Sequence, residues 1–178
     1  GIGNTIITAG TLDRVFHIHP NATLILEDVT LSGSRNTYDG GALLNDGGNT
    51  TLRRVSITGN QALGAKITQD DYIGGGGGLC NKFNSRFGGP AVMLVEDSFI
   101  TNNFSIDSNS RGGGVYVRGG TVTIRNTLVE GNYAKGSPND FSPSGGGAFF
   151  SEGNLIIQDS RIQGNTAGAG GAISQAGS

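Results

Sequence analysis

The sequence predicts an all-β fold, a single-stranded parallel β-helix of about six coils with three short strands per coil, and three observations support it. Glycine fills 33 of 178 positions, which argues against helices, because a helix-interior glycine costs about 1 kcal/mol relative to alanine. Only 35% of residues are hydrophobic, yet Ile, Leu and Val recur along the whole chain and the net charge is -2, a composition that excludes wholesale disorder. One pattern also repeats through the chain: an apolar pair two apart, a polar dipeptide, then an apolar residue three positions before an Asn. The glycines fall in pairs and runs and not at every third position, so collagen is excluded.

The elements follow in chain order. Arg14-Val15-Phe16-His17-Ile18 is a first strand of the type that elsewhere follows a glycine pair, with His19-Pro20-Asn21 as the bend after it. Residues 23–31, 51–57, 93–100, 122–129 and 155–162 carry the repeat. Aligned, they place Leu26, Leu52, Val95, Ile124 and Ile157 in one apolar column and Leu31, Ile57, Ile100, Val129 and Ile162 in a second. Ser34, Asn60, Asn103, Asn132 and Asn165 form a turn column three residues on, where Asn suits a left-handed backbone and its amide can bond the next Asn in a stack. A glycine pair then leads into each third strand: Gly40-Gly41, Gly77-Gly78, Gly113-Gly114, Gly146-Gly147 and Gly170-Gly171. The interval between coils varies from about 26 to 43 residues, which fits a solenoid with loops better than a sandwich, whose strands have no reason to repeat side-chain identity by column.

In such a stack like residues sit about 4.8 Å apart, so charge order tests the alignment. The two positions after the first apolar column read Glu27, Arg53, Glu96, Arg125, Gln158 and Asp28, Arg54, Asp97, Asn126, Asp159, with no two like charges adjacent. The whole of residues 1–178 reads as one β-helix segment. It starts and stops in mid-coil with no helix or Pro-rich cap, so a segment of a longer chain, or a unit that associates end to end through uncapped coils, is expected.

Twelve basic against fourteen acidic residues, with no basic run, give no footprint for nucleic acid. No apolar run approaches the roughly 18 residues of a transmembrane segment. Cys80 has no partner for a disulfide and reads as a small buried residue.

Function is expected in the loops. Insertions at residues 61–76, 104–112 and 133–145 fall at one corner of three successive coils, and residues 82–90 form another after a third strand. They hold the candidate binding residues Asp70, Asp71, Tyr72, Phe83, Arg86, Phe87, Phe104, Arg111, Tyr133, Lys135 and Phe141, with Asp107 and Asp140 nearby. Rings beside charged groups suit a glycan or protein contact, while the plainer reading is that they pin the loops to the solenoid wall. No catalytic residue, resident metal or cofactor is expected, with calcium at Asp70-Asp71 the only low-ranking alternative. His17 and His19 share a strand face but lack a third ligand, and Gly74 to Gly78 lacks the Lys-Ser/Thr of a phosphate loop and reads as a flexible strand entry. Asn21, Asn49 and Asn103 stand in Asn-x-Ser/Thr sequons.

The Gly-Gly-Ala-aliphatic strings at residues 40–43 and 170–173, the related Gly112-Gly113-Gly114-Val115-Tyr116, the aliphatic-x-x-Asn strings ending at Asn60, Asn103, Asn132 and Asn165, and Phe99-Ile100-Thr101-Asn102 resemble bacterial secreted and surface proteins with right-handed parallel β-helix repeats. These include the repeats of polymorphic outer-membrane proteins and adhesin passengers. Residues 4–7 and 14–18 look like the entry coils of such proteins, so the likeness covers nearly the whole chain. It implies a right-handed solenoid, an extracellular or outer-membrane-associated location, and a structural or adhesive role toward protein subunits, surface glycans or neighbouring copies. More distant proteins of this architecture, polysaccharide lyases and hydrolases, make a carbohydrate-active enzyme the alternative.

Overall fold

The computed structural model describes residues 5–10, 13–66, 72–84, 89, 91–106, 110–136, 145–168 and 170–176. The chain is a parallel β-helix whose strands stack in sequence order into four parallel sheets. Sheet I holds Thr23–Glu27, Asn49–Arg53, Val92–Glu96, Thr121–Arg125 and Asn154–Gln158. Sheet II holds Thr5–Ile7, Val29–Ser32, Ser56–Thr58, Phe99–Thr101, Leu128–Glu130 and Arg161–Gln163. Sheet IV, which each coil enters through its glycines, holds Phe16–Ile18, Leu43–Asp46, Leu79–Lys82, Val115–Val117, Phe149–Ser151 and Ile173–Gln175.

The three strands expected of each coil are these. Sheet III adds a narrow ladder of two-residue strands, Arg35–Asn36, Gln61–Ala62, Phe104–Ser105, Tyr133–Ala134 and Thr166–Ala167, where a plain bend was expected. Coil repeats of 26, 43, 29 and 33 residues are absorbed by loops without changing the rungs.

Register follows the apolar columns. Leu26, Leu52, Val95, Ile124 and Ile157 pair in one line of sheet I, and Leu31, Ile57, Ile100, Val129 and Ile162 in one line of sheet II. Strand alternation sends these side chains inward, where they form the core with Leu43, Leu79, Val115 and Phe149 of sheet IV. Thr50 breaks the pattern. It lies buried between Leu24 and Met93 in an inward column, and its hydroxyl has no hydrogen-bond partner. Thr50→Val keeps the shape and removes that hydroxyl, so it is expected to raise the unfolding free energy by about 1 kcal/mol in urea titrations; a loss of stability would contradict the reading.

Three side-chain ladders satisfy the corners. At the bend from sheet II to sheet III, Asn60 donates its amide to Asn103 Oδ1 at 3.0 Å and to the Leu31 carbonyl at 3.0 Å, and Asn103 and Asn132 repeat this one coil on. The left-handed residue is not the ladder Asn, as the sequence suggested, but its predecessor: Gly33, Gly59, Asn102, Gly131 and Gly164 have φ of 70°, 66°, 52°, 64° and 61°. The ladder side chain must point inward, and the turn that aims it there falls one residue earlier. At the bend from sheet I to sheet II, Ser98, Thr127 and Ser160 donate to the carbonyls of Glu96, Arg125 and Gln158 and accept from amides one coil below. At the exit of sheet IV, Asn45 bonds Asn81 at 2.8 Å.

The charge columns also stack as expected. Arg53 bridges Glu27 at 3.4 Å and Glu96 at 3.1 Å, and Arg125 caps Glu96. Arg54 holds Asp28 through two bonds of 2.7 and 2.8 Å. Arg53→Glu would stack three carboxylates on successive rungs. Its melting temperature is expected to fall below wild type, with the gap narrowing at high salt because exposed charges are screened.

Candidate functional site

The sheet III to sheet IV corner, where the sequence concentrates its loops, is braced by side chains on the outer face of sheet IV. Strand alternation points Leu44, Cys80, Tyr116 and Phe150 outward in one line, yet all four are buried in a cluster of their own, apart from the main core. Residues entering sheet IV cover them. Gly75, Arg111 and Gly145 lie in parallel register on successive coils. A Cβ on Gly75 would sit 2.5 Å from the Tyr116 ring, and the Arg111 guanidinium lies 5.8 Å from the Tyr116 ring centre and 5.4 Å from that of Phe150.

The five glycines from Gly74 to Gly78, read from sequence as a flexible entry into the third strand, pack closely against neighbouring chain. Gly74 packs on the Gly64 backbone, and Gly76 takes a φ of 66° at the turn into the strand. The structural register also shifts the glycine pairs by one in two coils: Gly76-Gly77 and Gly112-Gly113 align with Gly40-Gly41, leaving Gly78 and Gly114 opposite Ala42 and Ala148.

Two charged groups flank the buried line. Arg111 Nη1 donates to Tyr116 Oη at 2.8 Å and to Glu152 Oε1 at 3.0 Å, while Tyr116 Oη donates to Glu152 Oε2 at 2.7 Å. Burial beside Glu152 pushes the Tyr116 phenol well above its usual value, so it stays a donor. Two residues beyond Tyr116 on the same coil, Arg118 Nη1 donates to Asp39 Oδ2, two coils earlier, at 3.1 Å. Asp39 is buried, which raises its pKa against the opposing pull of Arg118 and Lys82, and its Oδ1 has no partner. Asp46 lies 3.7 Å from Lys82 and 3.8 Å from His17.

Arg118→Leu leaves the Asp39 carboxylate buried and unpaired. A fully buried pair costs about 3–5 kcal/mol to break; with the Arg118 side chain 32% exposed, a loss of roughly 2 kcal/mol at neutral pH is expected. Because the folded pKa of Asp39 lies above its ordinary 3.8, acidification protonates it first in the folded state, and the deficit should shrink as the pH falls toward that raised value. Guanidinium unfolding at pH 7 and pH 5 checks this, and a deficit that widens on acidification would refute it.

The structure separates the sequence candidates. Arg111 is a brace with its cation engaged. Phe104 and Tyr133 are not loop residues but neighbours in register on the outer face of sheet III, and Tyr133 is 37% exposed; Lys135 follows, exposed. Phe83 is 46% exposed but lies beyond the far end of sheet IV, against Gly119, away from Phe104, Arg111 and Tyr133. Tyr72 belongs to the strand Tyr72–Ile73, antiparallel to Ala65–Lys66. Asp70, Asp71, Arg86, Phe87 and Phe141, with Asp107 and Asp140, fall outside the described residues, and so does the calcium alternative at Asp70-Asp71.

His17 and His19 stack at 4.3 Å, and among the described residues no three His, Cys, Asp or Glu side chains are grouped for a metal. Cys80 is buried, and burial pushes its thiol well above the usual value. The Asn103 sequon lies in the buried amide ladder, whereas Asn21 and Asn49 are exposed. Sequence reading missed Asp39, Arg118, Tyr116 and Glu152; the signal was the line Asp46, Lys82, Arg118, Glu152, which occupies one outward column of sheet IV. Among the described residues no helix is long and apolar enough to cross a membrane. No protein-family model matches the chain, and searches of curated proteins and of solved structures gave no match.

Proposed function

We propose that the chain is an extracellular or cell-surface β-helix module of structural or adhesive type, similar to the repeats of bacterial surface and outer-membrane passengers, which displays its loop corner to a protein partner, a glycan or neighbouring copies. One observation carries this reading. Three successive coils send long segments out between sheet III and sheet IV and receive them back at Gly75, Arg111 and Gly145 in register, so the segments leave and return side by side. A rigid scaffold with adjacent loops on one corner is a common arrangement for a binding face. The Arg111, Tyr116, Glu152 and Asp39, Arg118 groups brace sheet IV beneath that face.

The test is display and adhesion. Intact cells of the producing organism should lose the protein to external protease, and beads coated with the chain should adhere to a surface bearing the partner, less so after Phe104→Ala with Tyr133→Ala. A protein confined to the cytoplasm would refute the reading. So would calcium-dependent depolymerisation of an acidic polysaccharide abolished by Asp70→Ala or Asp71→Ala, which would install the enzyme in its place.

A further inference from the structure

A second site lies away from the loop corner, along the bend between sheets I and II, where the surface carries a groove of about 440 Å³. That volume falls within the range of small-ligand sites. One wall is the line of bend residues Asp97, Asn126 and Asp159, each exposed and with φ near 50°, one per coil. The floor is Phe99 and Leu128, neighbours in register on the outer face of sheet II, followed by Arg161. In the preceding coils the same outward column holds the small hydroxyl residues Thr30 and Ser56, so the apolar floor begins where the groove begins.

Phe99 is 42% exposed, an aromatic ring left open beside Leu128. Two of the three charges that line the groove differ from those around them. Glu27, Asp28, Arg53, Arg54, Glu96, Asp97, Arg125 and Glu130, the other charged side chains of sheets I and II and their bend, are all engaged by a neighbour. Asp159 and Arg161 have no side-chain partner among the described residues, and both line the groove.

We propose that this groove binds a neutral oligosaccharide lying along the stacking axis, independently of the loop corner. Hydrogen-bonding groups recur on its wall once per rung, about 4.8 Å apart, close to the repeat of pyranose units in an extended glycan. A sugar ring offers an apolar face to Phe99 and Leu128 and hydroxyls at its edge to Asp97, Asn126, Asp159 and Arg161. Two carboxylates against one guanidinium disfavour a polyanionic chain. An extended peptide is disfavoured too, since strand addition runs along a sheet edge, whereas the groove crosses successive strands on the sheet faces, along the stacking axis. Asp97 and Asp159 stand two rungs apart, roughly 10 Å, with Asn126 between them, an arrangement for holding a chain and not for cleaving it.

The experiment is a titration of the isotope-labelled chain with neutral tetrasaccharides of β-1,4-linked glucose, N-acetylglucosamine and mannose, and with tetragalacturonate as the charged comparator, followed by amide chemical shifts. At least one neutral tetrasaccharide is expected to shift residues 97–99, 126–128 and 159–163. Phe99→Ala should weaken it about tenfold, as should Asp159→Ala combined with Arg161→Ala, while Tyr133→Ala leaves it unchanged. Both groove variants remove exposed side chains, and a retained amide spectrum shows that they fold. The proposal fails if no neutral tetrasaccharide binds, if tetragalacturonate binds more tightly, or if the shifts gather at Phe104 and Tyr133. The last result overturns the groove and leaves the loop-corner reading standing.

Discussion

Gly113→Ala is expected to cost more than about 4 kcal/mol and to leave little folded protein at 37 °C. A Cβ at Gly113 would lie 2.5 Å from the Gly147 carbonyl oxygen and 2.5 Å from both the carbonyl carbon and the nitrogen of Tyr133. All three are backbone atoms, so no rotamer relieves the clash. The rungs themselves would have to separate, and every ladder crossing that level would lengthen. Gly77 meets the Phe104 backbone in the same way, at 2.5 Å. Gly59→Asn supplies the contrast. Gly59 has open space around it and a φ of 66°, and Asn102 already occupies the equivalent bend one coil on with a φ of 52°. That substitution should change stability by less than about 1 kcal/mol. Urea unfolding followed by circular dichroism separates the cases, and Gly113→Ala within about 1 kcal/mol of wild type would contradict the packing argument.

Asn103→Ala is expected to cost about 3–4 kcal/mol. The side chain is fully buried and makes four bonds: Oδ1 accepts from the Asn60 backbone N–H at 3.1 Å and from Asn60 Nδ2 at 3.0 Å, while Nδ2 donates to the Ile57 carbonyl at 2.9 Å and to Asn132 Oδ1 at 3.0 Å. Alanine strands the Asn60 N–H where no water reaches it, which costs more than the bond was worth. Asn103→Asp keeps the acceptor but sets a carboxylate against Asn132 Oδ1, so at neutral pH it should match alanine and recover part of the loss in acid. Asn165→Ala, at a partly exposed rung, should cost about half as much. Equal losses at Asn103 and Asn165 would show that the ladder is not what these bends rest on.

Much of this fold is legible in the sequence because in-register stacking repeats a physical requirement at each rung. Leu26 and Leu52 face the same core, and Asn60 and Asn103 the same bend, so residue type recurs by column. The errors arise where side chains carry no register mark. A run such as Gly112-Gly113-Gly114 can be slid by one residue without changing its composition, and only Val115 opposite Leu79 fixes it. Sheet III stays hidden because strands of two residues, with Gln61 or Thr166 facing out, have no periodicity to detect.

The candidate site is less legible still. Asp39 and Arg118 are 79 residues apart, and nothing local pairs them. Arg111 reads as a candidate binding residue until the structure places Glu152 beside it. Phe83, in the separate insertion after a third strand, does lie at a corner of its own, against Gly119.

The amide ladder also has a direction. Asn60, Asn103 and Asn132 each donate one amide N–H to the side-chain oxygen of the following Asn and the other to a carbonyl of the preceding coil, so the side-chain-to-side-chain bonds all run one way, like a row of arrows. A stack of this kind has a head and a tail. Any further coil, whether of this chain or of a neighbour, continues the row only by meeting a donor face with an acceptor face. A two-fold related coil would set donor against donor. An end-to-end contact that continued this row would therefore be head-to-tail and not two-fold symmetric.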